Sequence, residues 1–337
     1  MTETETSSTM NELENDESEL ELSNEQLKPT ALKPGSRIGL ISPASRVSEP
    51  SALRRSSNII EELGYVPVIG KSTLSYEGFT AGSDQARIDD LQTFLADASI
   101  EAIVCVSGGY GAARLLPLLD FAQIRKSPKI IIGSGDNDAL LSAINQLTGL
   151  VIFHGPNLED VADKYTYEAL KNTLAGSKEN LTVNCRDSND QVFESNMYSL
   201  SDLSCQGTLC GGNLTALSSL FGTKYKPDFS KKILALDDFA ERNSILDRWF
   251  TTMYLSGTLS SIAGIAFGGF PSCHARGGNN MLSVQDTFGD RLKELKVPAC
   301  FGFKFGNESK SNYLPIGTSA ELDCKRGSLA FQESPYA

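Results

Sequence analysis

The chain has 337 residues, 40% of them hydrophobic and 21% charged, a size that exceeds what one core fills comfortably and an ordinary composition for a globular protein of two domains. Its formal charge of −12 is concentrated in residues 1–27, which hold nine acids and no Lys or Arg; the remaining 33 acids face 30 bases, which excludes a general nucleic-acid-binding face. No run approaches the roughly 20 apolar residues of a membrane span and no secretory signal is present. The seven cysteines are scattered without a C-x-x-C pair, against structural zinc and a disulfide framework, so a cytoplasmic protein is expected.

Residues 1–30 read as a disordered acidic tail, poor in aromatic residues. Arg37–Pro43 is the first apolar strand, followed by a helix over 50–63 and a short strand at Val66–Ile69. A second amphipathic helix (84–98) precedes the wholly apolar strand Ala102–Val106, which ends in Ser107-Gly108-Gly109-Tyr110-Gly111. A helix around 112–119 follows, then the strand Lys129–Gly133, a small polar turn, a helix over 138–147 and the strand ending at His154. This strand–helix rhythm predicts an α/β fold with a parallel sheet, and ligands at the carboxyl ends of its strands.

The pattern weakens between about 157 and 204, with a helix near 164–175, and 171–204 reads as a linker between an N-terminal α/β domain (31–170) and a C-terminal mixed α/β domain (205–337). Short loops and apolar runs return from Cys205, and the second half carries strands at 232–237, 262–267 and 298–303. Helices are predicted over 244–255 and 283–295, and weakly alternating strands between Tyr313 and Phe331.

Several residue groups could carry chemistry. The turn Gly133-Ser134-Gly135-Asp136 joins a buried strand to a helix start, where free backbone N–H groups and the dipole favour anionic groups. Ser107–Gly111 lacks the spacing of a dinucleotide or Walker loop. Its glycines would let a ligand oxygen approach backbone donors, or simply make a turn. His154 and His274 are the only histidines. His154 reads as a packed or pocket-lining residue, and His274 as a surface one. Asp237-Asp238, at the end of an apolar strand, suits either base orientation or helix capping. Asp136 and Asp138 pose the same alternative, and the four carboxylates together could hold a hard metal ion, although carboxylates alone do not establish one. No cofactor or metal is expected.

In unbroken order over residues 32–335, the segments resemble the LD-carboxypeptidase family, which includes the microcin-immunity peptidases. The resemblance rests on Pro34–Gly39 with Ser42-Pro43, Thr80–Arg87, Gly108–Gly111 with Arg114-Leu115-Leu116, and His154-Gly155-Pro156. It continues through Gly211–Leu214, Gly222-Thr223, Asp237-Asp238, Asp247-Arg248, Phe305-Gly306 and Leu314–Gly317. It implies two domains with a cleft between them, a homodimer, a small peptide ligand, and a serine–histidine–glutamate triad that hydrolyses an L,D-peptide bond. The family serine falls on Gly135, the glutamate on Asp237 and the histidine on Asn307. All three are changed, as are Ser107, where arginine is common, and Asp138, where threonine is common. Gly108, Gly109, Tyr110, Asp136 and His154 are the expected ligand- or oxyanion-facing set. A pseudo-peptidase that binds murein-derived peptides or peptidyl conjugates is the reading that follows; the alternative is an active, divergent carboxypeptidase, with Ser134 and His154 as the rescuing pair.

Overall fold

The computed structural model describes residues 26–177, 181–185, 202–273 and 282–337. The acidic tail up to residue 25, much of the expected linker, and His274 lie outside the described residues.

Apolar runs without alternation become strands buried on both faces, as a parallel sheet covered by helices requires. The first sheet contains β1 (Arg37–Ile41), β2 (Val66–Ile69), β3 (Ile100–Cys105), β4 (Ile130–Gly133) and β5 (Ile152–His154) in the order β2-β1-β3-β4-β5, all parallel. Its helices are α1 (Pro50–Glu62), α2 (Asp84–Ala96), α3 (Phe121–Lys126), α4 (Asn137–Thr148) and α5 (Lys164–Ala175). Ser83 and Asp163 cap α2 and α5 by accepting the N–H groups of Ala86 and Thr166, and α4 and α5 stop at Gly149 and Gly176. The helix expected around 112–119 is instead a 3₁₀ segment, Ala112–Leu118, with Pro117 inside it. A proline ring cannot sit in a continuing α-helix, which accounts for the change.

The second sheet has β6 (Thr182–Asn184), β7 (Ser204–Asn213), β8 (Ile233–Asp237), β9 (Gly264–Phe267), β10 (Ala299–Phe301), β12 (Ser319–Asp323) and β13 (Ser328–Phe331). Its order is β10-β9-β8-β7-β12-β13-β6, parallel from β10 to β7 and antiparallel beyond. Helices α6 (Leu214–Ser218), α7 (Asn243–Leu255), α8 (Thr258–Ser261) and α9 (Val284–Leu295) accompany it. Phe250, Phe267, Phe288 and Phe301 form its core, with the rings of Phe267 and Phe301 stacked 4.0 Å apart.

The remaining strand, β11 (Leu314–Ile316), pairs antiparallel with β5 at the edge of the first sheet. The stretch read as the second domain therefore returns to complete the first. The carboxyl ends of β3, β4, β5 and β8 meet where the two sheets approach each other.

Candidate functional site

The turn after β4 is built as a sharp elbow. Ile130–Ile132 are fully buried and fix the strand, Gly135 takes a left-handed φ of +68°, and α4 starts at Asn137. A Cβ placed on Gly135 would meet no atom within 4 Å, so the elbow points into open space. Among the described residues, no acceptor takes the N–H of Gly135 or Asp136.

Asp136 fastens the elbow to the glycine-rich turn, because its Oδ2 accepts the N–H groups of Gly111 (2.6 Å) and Ala112 (2.7 Å). Burial raises the Asp136 carboxyl above its ordinary range, and those two donors oppose the rise. From behind, the buried guanidinium of Arg87 donates to the carbonyls of Gly111 (2.8 Å) and Pro43 and pairs with Asp84. The Thr80–Arg87 segment thus clamps the turn by its oxygens while Asp136 holds it by its nitrogens.

The cleft has a volume of about 420 Å³, and its lining includes Gly108, Gly109, Gly135, Asp136, Asn157 and Asn307. Gly135 and Asn307, 172 positions apart in sequence, therefore share one wall. Ser134 lies just beneath it, fully buried, with Oγ 3.3 Å from Asn307 Oδ1 and accepting from Asn157 Nδ2 at 3.1 Å. Asn157 also accepts the Ser134 N–H and the Asn137 amide, so an all-amide network underlies the elbow.

Asp237 does not reach the cleft. It is fully buried at the end of β8, below Asn307, and its carboxylate faces His154, whose Nε2 is 3.4 Å from Oδ1. The other ring nitrogen, Nδ1, is 2.9 Å from Asp138 Oδ1. Asp138 in turn accepts the Asn213 N–H at 2.9 Å, tying α4 of the first sheet to β7 of the second. That approach needs Gly212, where a Cβ would lie 2.6 Å from the Asp138 Cγ. Burial alone would lower the His154 pKa, but Asp138 and Asp237 more than offset it and hold the imidazole up at about 9. Burial pushes Asp237 upward, with the imidazolium opposing. The three side chains form a buried ionic bridge between the sheets.

These contacts correct two expectations. His154 is 0% exposed and belongs to the bridge, not to the ligand-facing surface. Its ring nitrogens face carboxylates, so no contact joins it to Ser134. Tyr110 is exposed, but its ring packs edge-on against Phe79 outside the cleft lining, and its N–H is taken by Ser45 Oγ at 3.0 Å. Gly108, Gly109 and Asp136 do line the cleft.

The four-carboxylate cluster does not assemble. Asp238 spends its oxygens on Asn213 Nδ2 and on the N–H groups of Thr215 and Phe239, in the manner of a helix cap for α6. Asp136 serves the glycine turn. The grouping with metal-ligand geometry among the described residues is instead Asp138, His154 and Asp237, all buried. Its imidazole lies between the two carboxylates, whose charges favour the protonated ring. Sequence spacing gave no sign of this bridge, although adjacent glycines at 211–212 inside a strand mark a close approach.

Comparison with known proteins places the halves of the chain in one group. Residues 38–155 match the model of the LD-carboxypeptidase N-terminal domain and residues 206–322 that of its C-terminal domain. A probable murein peptide carboxypeptidase of Bacillus subtilis is 33% identical over 299 residues, covering 88% of this chain and 91% of that protein. The murein tetrapeptide carboxypeptidase of Pseudomonas aeruginosa is 28% identical, covering 86% and 94%. Among solved structures, the microcin C7 self-immunity protein MccF superimposes with a TM-score of 0.82 at 22% identity, over 92% of this chain and all of that one, a likeness of fold. MccF has also been solved with glutamyl sulfamoyl guanosine and with aspartyl sulfamoyl adenosine.

Proposed function

Given that the chain belongs to the LD-carboxypeptidase family, we propose that it keeps the family's cleft as a binding site and has lost the hydrolytic machinery. The observation that carries this reading is the state of the cleft wall. At the position that the family resemblance gives to the attacking serine, Gly135 points no side chain into open space. At the position of the histidine, Asn307 offers an amide that neither accepts nor returns a proton near neutral pH. Asp237, one methylene shorter than glutamate, is turned away to His154. Loss of a triad's nucleophile or base alone removes on the order of a millionfold in rate.

The rival reading needs another nucleophile and base. Ser134 is fully buried and held by amides, and among the described residues no hydrogen bond joins it to an imidazole. The ligand we propose is a murein-derived peptide or peptidyl conjugate, in keeping with the names of the relatives and the ligands of MccF. Its carbonyl would lie at the unclaimed N–H groups of Gly135 and Asp136. A cytosolic homodimer completes the proposal; among the described residues, no helix is long and apolar enough to cross a membrane.

Calorimetric titration with murein tripeptide and tetrapeptide, run beside an assay of D-alanine release, tests both halves. Heat without release is expected. No heat at millimolar protein sinks the binding role, and release that Ser134→Ala abolishes overturns the loss of hydrolysis.

A further inference from the structure

The seven-stranded second sheet has two edges, β6 and β10, which stand at opposite ends of its strand order. They nevertheless meet. Cys185 directly follows β6, and its N–H donates to the Gly327 carbonyl at 2.8 Å, extending the pairing of β6 with β13. Its Sγ lies 3.9 Å from the Sγ of Cys300 in the middle of β10, 115 positions later in the chain. Twist accumulated over the strands brings the two edges round towards each other, as in a barrel short of closure. Among the described residues no backbone ladder joins β6 to β10; the two thiols instead donate to the carbonyl oxygen of Phe301, at 3.5 and 3.6 Å. Both sulfurs belong to the core inside the curl, with Val183, Leu322 and Leu329. At the seam where a barrel would place its last hydrogen-bonded ladder, this sheet places a pair of thiols.

The pair is close enough to be joined. A disulfide needs its sulfurs at about 2.0 Å, so closure from 3.9 Å asks each to move roughly 1 Å, within reach of side-chain rotation. The two thiols also differ in access. Cys185 stands in the wall of a cavity of about 700 Å³, beside Gly268, Phe301 and Gly302, whereas Cys300 is fully buried and lies outside that lining.

We propose that Cys185 and Cys300 are a redox pair, in which a peroxide entering the cavity oxidises Cys185 and Cys300 then closes a disulfide that staples the two edges of the second sheet. The Cys185 sulfur attacks one peroxide oxygen and breaks the O–O bond, which leaves a sulfenic acid and releases water. The Cys300 sulfur then attacks the sulfenic sulfur; the S–S bond forms, the S–O bond breaks, and a second water carries away the Cys300 proton. Two thiols give up two electrons and two protons, and hydrogen peroxide is reduced to two waters. Because both sulfurs are already in contact, the second step has no partner to find. The pair belongs to the second sheet and stands whether or not the cleft binds a peptide.

The test treats the native full chain with hydrogen peroxide, blocks the remaining thiols by alkylation, and maps the peptides without reduction. A Cys185–Cys300 link is expected, removed by dithiothreitol. Closing a loop this long should raise the melting temperature by roughly 3–7 °C over the reduced chain. With dimedone present, Cys300→Ser should trap the sulfenic acid at Cys185, while Cys185→Ser should leave Cys300 unlabelled. If a serine variant fails to fold, alanine takes its place, and the wild-type map needs no variant. An unlinked pair after peroxide treatment overturns the proposal, including one left unlinked while Cys273, in the same cavity wall, is oxidised. So does a link from either cysteine to another, a link that forms only in denaturant, or a linked chain that melts no higher than the reduced one. Labelling of Cys300 in Cys185→Ser overturns the order of attack.

Discussion

Replacing His154 with alanine removes the cation from between two buried carboxylates, and the size of the effect follows from the bridge. Asp138 would keep the Asn213 N–H, but Asp237 would lose, at full burial, the imidazole that faces it. Breaking a buried ion pair by removing one member costs about 3–5 kcal/mol. The same contacts hold the imidazole up at about 9, above the 6.5 of an unfolded histidine, so folding favours its protonated form. Because the folded value is the raised one, this stabilisation is complete below pH 6.5 and is lost as the pH climbs through 9. The raised Asp237, with a folded pKa of about 7, acts in the same direction at lower pH, its share declining from about pH 4 to pH 7. Thermal and denaturant unfolding measured from pH 6 to 9.5 provides the assay. The variant should melt on the order of 5–10 °C lower at pH 6.5 and should lose the part of the decline that comes from the imidazole, while the buried Asp237 continues to titrate. A variant within about 1 kcal/mol of wild type, or one that keeps the wild-type slope, refutes the bridge as a charged element.

Gly135→Ala should cost only about 1–2 kcal/mol in denaturant unfolding, the price of a left-handed φ, because nothing lies near the new Cβ. Gly212→Ala should cost more than about 3 kcal/mol, since the methyl group would strike Asp138 and part α4 from β7. Combining Gly135→Ser, Asp237→Glu and Asn307→His should create measurable D-alanine release from a murein tetrapeptide, and each reversion to the present residue should abolish it. A folded triple variant without release would mean that these three positions are not the ones that once carried the chemistry.

Much of the fold was legible because parallel strands covered on both faces leave long apolar runs: Ile38–Ile41, Ala102–Val106, Ile130–Ile132 and Ile233–Leu236 each announce themselves. Alternation over Tyr313–Phe331 predicted strands but could not assign them, since a period of two identifies a half-buried face without naming the sheet it joins. Within the site, the elbow and the glycine turn were visible because local chemistry makes both. The role of Asp136 was not, because its partners Gly111 and Ala112 come from another turn. His154 was misplaced for a related reason: a residue at a strand's end faces either a pocket or a buried neighbour, and the neighbours here come from α4 and β8.

Strand β11 also bears on how the chain is made. Its partner β5 leaves the ribosome about 160 residues earlier, an interval of roughly 8–30 s at ordinary rates of synthesis. Throughout that time the β5 edge of the first sheet, with Ile152 and Phe153, waits without its neighbour, an invitation to pairing with another chain. An N-terminal half released alone would carry the same open edge permanently. The first sheet is therefore completed only when Leu314–Ile316 has been made and has paired with β5.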